Sequence, residues 1–449
     1  MKKFKAWSMI LILSMIITIV GCSGANKATE QTQDTTKPAD TAATTDTTTT
    51  TTTTEPAKED TPTEPAMGAD GKIDFKGELI RIGQWWGMEN YLSEEEKERQ
   101  KKAEEKFNVK IEYVTVGFDQ IVPRLITSTV AGQPFADVIM IPLVDALPKL
   151  AVDGYIRPID DLVDLNEPIW NKVMKSNGVY DGKQYSFTDK DNNGNGLFYN
   201  KTMLQKLGLE DPYALQEKGE WTWDKFLGMA KAATKDDKFG VTDNQLDLAI
   251  AFIYANGGSV TTADNQIGFD SPNSMEAIQF VSDLFNVHKV AGGNFAQGTA
   301  LFYPGYRWSA YDFNPSMSDD WGYVFFPKGP KGTDYVVPSE INLWHLSSSV
   351  KSPKAVMAVW KELYEMDAEK GYDGVIKGEE ANFRNKESLD TLRKMLGNVT
   401  AIKYGSYIGF RGIFDEAIKN IMSGKATATA ELARIKPMAQ AAIDVTLKK

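Results

Sequence analysis

The feature that most constrains the fold is a regular alternation of apolar segments and helical periodicity that begins at Gly77. The segment "GELIRIGQWWG" is predicted to be a strand that ends at its two tryptophans. A helix follows in "SEEEKERQKKAEEKF", where Ser93 and Glu96 form a capping box. Two more strands, "VKIEYVTV" and "ADVIMI", flank the helical "FDQIVPRLITSTVAG". Such alternation predicts an α/β fold with a mostly parallel sheet and helices on both of its faces.

After Gly182 the pattern becomes richer in helices. Helices are predicted at about 222–234, 246–254, 273–287, 306–314, 353–366, 411–422 and 429–447. A strand pair, "WGYVFFP" and "INLWHLS", is predicted between them. About 375 residues are available for folding, and a chain of that length favours two lobes over one core.

The N-terminus has the pattern of a secretory signal peptide, predicted over residues 1–21. Lys2, Lys3 and Lys5 precede an uncharged apolar run from Ala6 to Val20. This run is shorter than the roughly 20 apolar residues that a membrane-spanning helix needs. The one cysteine of the chain, Cys22, follows directly, so no disulfide can form within the chain.

Residues 22–72 are predicted to be a disordered tether. The segment consists mainly of Thr, Ala, Pro, Glu, Asp and Lys, and it includes eight consecutive threonines from Thr47 to Thr54. It has too few apolar side chains to bury a core. Thr-rich stretches with Pro can carry O-glycans, and the sequence leaves that question open.

Charge and composition exclude several classes of function. The formal net charge is −11, and removal of a signal peptide with three lysines would bring it to −14. This acidity argues against nucleic acid and against adhesion to anionic lipid through a basic patch. Only two histidines, His288 and His345, are present, so a His/Cys zinc site is excluded, and we interpret both as structural. No cofactor, metal or oligomer is expected.

The ordered segments, taken together, resemble the extracellular solute-binding proteins of ABC importers, the family that contains maltose-binding protein. The resemblance covers nearly all of residues 77–449. It rests on segments that occur in the order of the family: "ADVIMI…LAVDGYIRPID", "GKQYSFT…LFYNKTMLQKLGL", "WTWDKFLGMAKAAT", "NGG", "FDSPNSMEAIQFVSDL", "GTALFYPGYRWS", "WGYVFFPKGP" and "MSGKATATAELARI".

The N-terminus also resembles that of a bacterial lipoprotein. "IVGC" at Ile19–Cys22 is similar to a lipobox, which implies cleavage before Cys22 and diacylation of its thiol. The alternative is an ordinary cleaved signal peptide with a coincidental cysteine. A lipid anchor would place the protein on the extracellular face of the cell membrane, near its permease.

The resemblance implies a periplasmic-binding-protein-like fold with two α/β lobes joined by hinge strands and a ligand cleft between them. The N-terminal lobe is expected to comprise residues 73–188 and 326–366. The C-terminal lobe is expected to comprise residues 196–323 and 367–449. Hinge closure would bury the ligand between the lobes.

One loop departs from the family pattern. "TDKDNNGNG", from Thr188 to Gly196, matches the first half of an EF-hand, but Asn200 stands where the calcium loop needs a bidentate Glu. We interpret it as a polar hinge loop, with calcium binding as the minor alternative. In the first case Asp189, Asp191 and Asn192 are candidate hydrogen-bond acceptors in the cleft.

A sugar presents an apolar face to aromatic plates and hydroxyls to polar side chains, and these types select the remaining candidates. Trp85 and Trp86 end the first strand, and at most one should face the cleft if strand alternation continues. Trp308 occupies the position where the family places a stacking aromatic. Core packing is the alternative for every aromatic named. The other candidates are Tyr306, Arg307, Glu340, Asn342, Trp344 and Tyr407, with Glu340, Asn342 and Trp344 expected on one strand face.

The resemblance therefore favours a non-enzymatic protein that captures a carbohydrate, most simply an oligosaccharide, and delivers it to an ABC permease. A polyamine or another small solute in the same fold is one alternative, because the chain is acidic. A surface glycoside hydrolase is the other, and it would need two carboxylates about 5–9 Å apart across the cleft.

Overall fold

The computed structural model describes residues 73–90, 92–188 and 194–448. The predicted signal peptide, Cys22 and the predicted tether lie outside the described residues. Asp189, Asp191 and Asn192 of the polar loop also lie outside them, and so does the possible calcium site. Among the described residues, no helix is both long enough and apolar enough to cross a membrane.

Strands and helices alternate along the described chain. The strands are β1 Leu79–Gln84, β2 Lys110–Thr115, β3 Val138–Pro142, β4 Ile156–Arg157, β5 Val179–Tyr180, β6 Lys183–Gln184, β7 Ser186–Phe187, β8 Asn195–Asn200, β9 Phe239–Val241, β10 Ala300–Tyr306, β11 Trp321–Val324, β12 Val337–Ser339, β13 Asn342–Ser347 and β14 Val399–Ala401.

The helices connect these strands and cover the sheets. They are α1 Glu94–Phe107, α2 Ile121–Val130, α3 Leu143–Ala146, α4 Lys149–Val152, α5 Lys172–Asn177, α6 Lys201–Lys206, α7 Pro212–Glu217, α8 Trp223–Ala233, α9 Gln245–Ala255, α10 Pro272–Asn286, α11 Ser309–Ser316, α12 Pro353–Glu379, α13 Lys386–Leu396, α14 Phe410–Met422 and α15 Ala428–Thr446.

The first sheet has the strand order β2-β1-β3-β13-β4, with β7 also paired to β13. β1 runs parallel to β2 and β3, whereas β13 runs antiparallel to β3, β4 and β7. The prediction of a mostly parallel sheet is therefore correct for the first three strands and wrong for the rest. The later strands return to this sheet from distant parts of the chain, and local periodicity contains no information about their direction.

The second sheet has the strand order β11-β8-β10-β9. β8 runs antiparallel to β10 and β11, and β10 runs parallel to β9. The predicted pairing of "WGYVFFP" with "INLWHLS" is wrong, because β11 belongs to the second sheet and β13 to the first. Each of the two segments is nevertheless a strand, as expected.

Local signals located several helices well. The capping box of α1 is present: the Ser93 side chain accepts a hydrogen bond from the Glu96 N–H, and the Glu96 carboxylate accepts one from the Ser93 N–H. Thr222 precedes α8 in an extended conformation, but its side chain makes no capping hydrogen bond.

The helix predicted from residue 306 begins only at Ser309, because Tyr306 ends β10. The helix predicted to end at 366 continues to 379, and α13 was not predicted.

Three segments connect the two sheets. The chain passes from β7 to β8, from β11 through β12 to β13, and finally along α12. β12 pairs with β14 in a separate two-stranded sheet. Within α12, Gly371 has φ 51° and ψ −141°, so two helical pieces meet there at a kink. This backbone conformation is essentially restricted to glycine.

The hydrophobic core has three parts. One surrounds the first sheet and includes Ile82 and Trp360, and a second surrounds the second sheet and includes Phe226 and Phe252. The third part contains residues from both sheets, among them Ile141 and Tyr323. The two sheets are thus packed together through a shared apolar cluster, and the polar site described next lies among residues from both.

Candidate ligand-binding cleft

An aromatic stack lies at the end of β10. The Tyr306 and Trp308 rings are nearly parallel, with an interplanar angle of 3° and a centroid distance of 4.3 Å. The Tyr306 hydroxyl accepts a hydrogen bond of 3.0 Å from the Glu340 N–H, and burial raises the pKa of Tyr306 to about 12. Trp308 is 41% exposed. Tyr306 therefore supports one face of the indole, and the other side of this large apolar plate is open to a ligand.

Arg307, between the two stacked rings in sequence, is held in an ion pair with Glu379 of α12. The Tyr311 hydroxyl donates to the Glu379 carboxylate at 2.7 Å and accepts from Arg307 at 2.8 Å. The Arg307 side chain is 15% exposed and that of Glu379 is 5% exposed. The arginine therefore fixes the stack to α12, and its contact with a ligand remains a prediction.

A charged group lies where the connection between β12 and β13 meets α14. The Glu340 carboxylate accepts a hydrogen bond of 2.6 Å from Arg411. The Arg411 guanidinium lies 5.8 Å from the centroid of the Tyr404 ring, whose hydroxyl donates to Asp415 at 3.0 Å. Side chains from the connection between β12 and β13 and from α14 thus form one polar network.

Asp145, on α3, extends this network to the first sheet. Burial raises the pKa of Asp145, while the Arg411 charge acts in the opposite direction and Glu340 raises the pKa further. Asp145 is nonetheless exposed to solvent. Asp145 is therefore accessible to solvent and is also partly desolvated by the surrounding protein.

Asp247, on α9, has the same combination of properties. It is exposed, burial raises its pKa, and the Asn244 side chain opposes that shift by donating a hydrogen bond of 3.3 Å. Its charge raises the pKa values of Tyr306 and Asp415. Asp247 is therefore near both the aromatic stack and the charged network, and it joins the two into one site.

We call Asp145, Asp247, Glu340 and Asp415 the acidic cluster. Burial is the main cause that raises the pKa of Asp415, and Glu340 and Asp247 add to it. Arg411 interacts with three of these carboxylates, those of Glu340, Asp145 and Asp415. No group of three or more His, Cys, Asp or Glu side chains in the described residues is arranged to hold a metal ion.

The three other predicted tryptophans pack around the end of β1. Trp85 contacts Trp86 edge-on at 5.3 Å and Phe118 edge-on at 5.1 Å. β1 ends at Gln84, so the argument from strand alternation does not apply to Trp85 and Trp86, and both are partly buried. Trp344 is only 3% exposed and packs 5.0 Å from Trp360. Its prediction as a ligand plate is corrected here: Trp344 is a core residue.

Of the remaining predicted residues, Glu340 contacts the stack through its backbone N–H, which donates to the Tyr306 hydroxyl. Glu340 precedes β13, which begins at Asn342, so Glu340 does not share the strand face on which Asn342 and Trp344 lie. Asn342 is partly buried. Tyr407 is 2% exposed, and its hydroxyl donates to the Asn265 side chain at 2.7 Å. Tyr407 lines a small cavity that is described below rather than the stack.

Sequence reasoning missed Asp145, Asp247, Arg411 and Asp415. Asp145 lies just beyond the carboxyl end of β3 and Asp247 just beyond that of β9, where open α/β sheets bind ligands. That rule could have selected both. Arg411 and Asp415 lie at the start of a helix whose position relative to the sheets the sequence does not reveal.

His345 has no role in this cleft. It is fully buried on β13, its Nε2 lies 2.7 Å from the Ser186 hydroxyl, and burial lowers its pKa to about 3. It is therefore a neutral core residue at physiological pH. A Ser–His pair without solvent access cannot act on a substrate.

The bacterial extracellular solute-binding protein family has a sequence profile that matches residues 92–370 of the chain. The chain belongs to this family. Its members bind solutes for ABC transporters and do not transform them, so this solute-binding protein is not an enzyme. The alternative of a surface glycoside hydrolase is therefore set aside.

Solved structures show the same fold. An ABC substrate-binding protein from Listeria monocytogenes, in complex with cycloalternan, is 19% identical, with a TM-score of 0.60 over 83% of this chain and 99% of its own. A cyclo/maltodextrin-binding protein complexed with maltotetraose is 18% identical, with a TM-score of 0.63 over 84% and 98%. UgpB from Mycobacterium tuberculosis, in complex with glycerophosphocholine, is 16% identical, with a TM-score of 0.64 over 82% and 98%. The solute-binding protein thus has the mixed α/β fold of maltose-binding proteins.

Proposed function

We propose that this protein captures a carbohydrate, most simply an oligosaccharide, and delivers it to an ABC permease. The observation that carries the proposal is the exposed Trp308 plate, backed by Tyr306 and placed beside the acidic cluster. An indole face binds the apolar face of a sugar ring, and carboxylates accept hydrogen bonds from its hydroxyls. Structural neighbours with bound cycloalternan and maltotetraose support the same class of ligand.

The proposed site lies in a cleft between two lobes. We assign residues 73–188 and 326–366 to one lobe and residues 196–323 and 367–449 to the other. The placement of Asp145 beside Arg411 supports a ligand held from both sides, because the two residues belong to different lobes in this division. Closure of the lobes around a ligand would bring the stack and the cluster onto it together.

We also propose that the protein is a lipoprotein on the extracellular face of the cell membrane. Cleavage before Cys22 and diacylation of its thiol would anchor it, and residues 22–72 would act as a tether. Radiolabelled palmitate should be incorporated into the wild-type chain and not into Cys22→Ser. Equal labelling of the two proteins would refute the anchor without affecting the proposed ligand.

A calorimetric titration of the full chain, purified in mild detergent, tests the carbohydrate. A panel of neutral oligosaccharides should contain one that binds saturably. Trp308→Ala should weaken that binding by tenfold to a hundredfold, equivalent to about 1.4–2.8 kcal/mol. Trp308→Phe, which keeps an aromatic plate, is the matched control and should retain most of the affinity.

A polyamine is the second candidate, and the charge of the cleft favours it. Four carboxylates against one guanidinium leave an excess of negative charge for ammonium groups. Spermidine belongs in the same titration. Binding of spermidine with no response to any oligosaccharide would keep the solute-binding role and overturn the carbohydrate.

A further inference from the structure

A cavity lies beside the acidic cluster, and its walls come from the parts of the chain that surround the first sheet and the second sheet. Its volume is about 40 Å³. Leu143 and Tyr180 come from the part of the chain that contains the first sheet, and Asn265, Lys403 and Ser406 come from the part that contains the second. Leu143 shares α3 with Asp145, and Lys403 immediately precedes Tyr404, so the cavity adjoins the cleft without including the Trp308 stack.

The cation in this cavity is Lys403, and among the described residues no carboxylate pairs with it. Lys403 makes no ion pair and no side-chain hydrogen bond within the part of the chain that the structure describes, whereas Arg411 nearby is paired with Glu340. Burial lowers the pKa of Lys403, and no carboxylate opposes that effect. An anion next to the ammonium group would offset this desolvation.

Two neutral donors accompany the lysine. Ser406 is 6% exposed, and its hydroxyl is buried without a hydrogen-bond partner. The Asn265 side chain uses its oxygen to accept from Tyr407, which leaves its amide N–H₂ as a donor. A buried hydroxyl without a partner costs free energy, roughly 1–3 kcal/mol, unless a ligand or water satisfies it. The set of one ammonium, one hydroxyl and one amide donor matches a carboxylate, which has only acceptors.

We propose that this cavity is a binding site for a small carboxylate, held by Lys403, Ser406 and Asn265. An occupant would contact both parts of the chain, so it would stabilise their present arrangement. Two sources share this chemistry: a free monocarboxylate such as acetate, and an acidic substituent of a captured sugar. The site is separate from the Trp308 plate, so it can fail while the carbohydrate proposal holds, and the reverse is also true.

Thermal unfolding of the full chain at pH 7 and constant ionic strength tests the first source. Replacement of chloride by acetate should raise the unfolding temperature saturably, since a ligand that binds only the folded state stabilises it. Lys403→Met should weaken acetate binding at least tenfold, and Lys403→Arg should restore much of it. Lys425→Met removes an exposed lysine elsewhere and should respond like the wild type. Ser406→Ala should show a smaller loss than Lys403→Met.

The second source, an acidic substituent of a captured sugar, is tested with a pair of ligands. An oligosaccharide with a terminal uronic acid should be titrated beside its neutral counterpart, in the wild type and in Lys403→Met. A preference for the acidic sugar that disappears in Lys403→Met would support the site and identify the solute as the source of the carboxylate. The proposal is overturned if the wild type and Lys403→Met respond equally to acetate and equally to the acidic sugar.

Discussion

The Glu340 carboxylate and the Arg411 guanidinium are joined by a hydrogen bond of 2.6 Å in the acidic cluster. Glu340 follows β12 in a segment that connects the two sheets, and Arg411 begins the exposed side of α14. The Arg411 charge acts to lower the pKa of both Asp145 and Asp415. One arginine therefore offsets the repulsion among several carboxylates, and the pair determines the charge that a ligand meets.

Removal of this arginine should change which ligands bind. In Arg411→Met the acidic cluster loses the guanidinium that pairs with Glu340, so the affinity for a neutral oligosaccharide should fall about tenfold, or about 1.4 kcal/mol, and the affinity for spermidine should rise. Calorimetric titration of both ligands measures the two changes. Arg434→Met is the control, because that arginine pairs with Glu431 on α15, away from the cluster. Equal effects of the two substitutions would contradict the role of Arg411.

The hydrogen bond between Tyr306 and the backbone of Glu340 should matter for stability. Tyr306→Phe keeps the ring that stacks on Trp308 but removes the acceptor of the Glu340 N–H. A buried amide N–H without a hydrogen-bond partner lowers the free energy of unfolding by roughly 1–3 kcal/mol, and the loss is smaller if water reaches the amide. Urea unfolding should show a loss in this range. Tyr311→Phe is the variant for comparison of the unfolding midpoints. It removes a hydroxyl that is bonded to Glu379, outside the acidic cluster. An unchanged midpoint in Tyr306→Phe would show that water replaces the lost bond.

The raised pKa of Asp247 predicts how stability depends on pH. Burial raises the pKa of Asp247 in the folded protein above the ordinary value of an aspartate, so the folded state binds the proton more tightly than the unfolded state does. The charged form therefore destabilises the fold above the folded pKa, and this effect is lost as pH falls to about 4 and below. Asp247→Asn should be more stable than the wild type at pH 7, and the difference should vanish in acid.

Thermal unfolding between pH 3 and pH 8 measures this difference. Asp243→Asn, on the exposed loop that precedes α9, is the matched control and should track the wild type. A stability gain in Asp247→Asn that stays constant from pH 8 to pH 3 would show that charge is not its cause. A loss of stability at pH 7 would show that Asp247 is not desolvated in the way that the structure indicates.

The sequence predicted those parts of the fold and site that depend on neighbours along the chain. Ser93 and Glu96 are three positions apart, so their capping box could be recognised and is present. Trp308 was identified through a short segment and is an exposed, stacked ring. The pairing of β13 with β3, by contrast, joins residues far apart in sequence, and nothing local indicates it.

Burial explains the errors among the site residues. Trp308 and Trp344 are the same residue type near the ends of strands, but one is 41% exposed and the other 3%. The difference arises from α12, which places Trp360 against Trp344. Arg411 was missed for a different reason, since its proximity to Asp145 exists only after α3 and α14 have packed. Side-chain chemistry was readable from the sequence, and proximity across the fold was not.

The kink in α12 offers a prediction with a control in the same helix. Gly371 has φ +51°, and an added Cβ would meet no atom within 4 Å, so Gly371→Ala is strained only through its backbone. That strain should destabilise the protein by about 1–3 kcal/mol. Gly378 lies in the helical part of α12, also with no atom within 4 Å of an added Cβ, and has no such φ. Gly378→Ala should therefore stabilise by about 0.4–1 kcal/mol. Urea unfolding of the two variants should move the midpoint in opposite directions, and a shift in the same direction would mean that α12 straightens at Gly371 to accept the alanine.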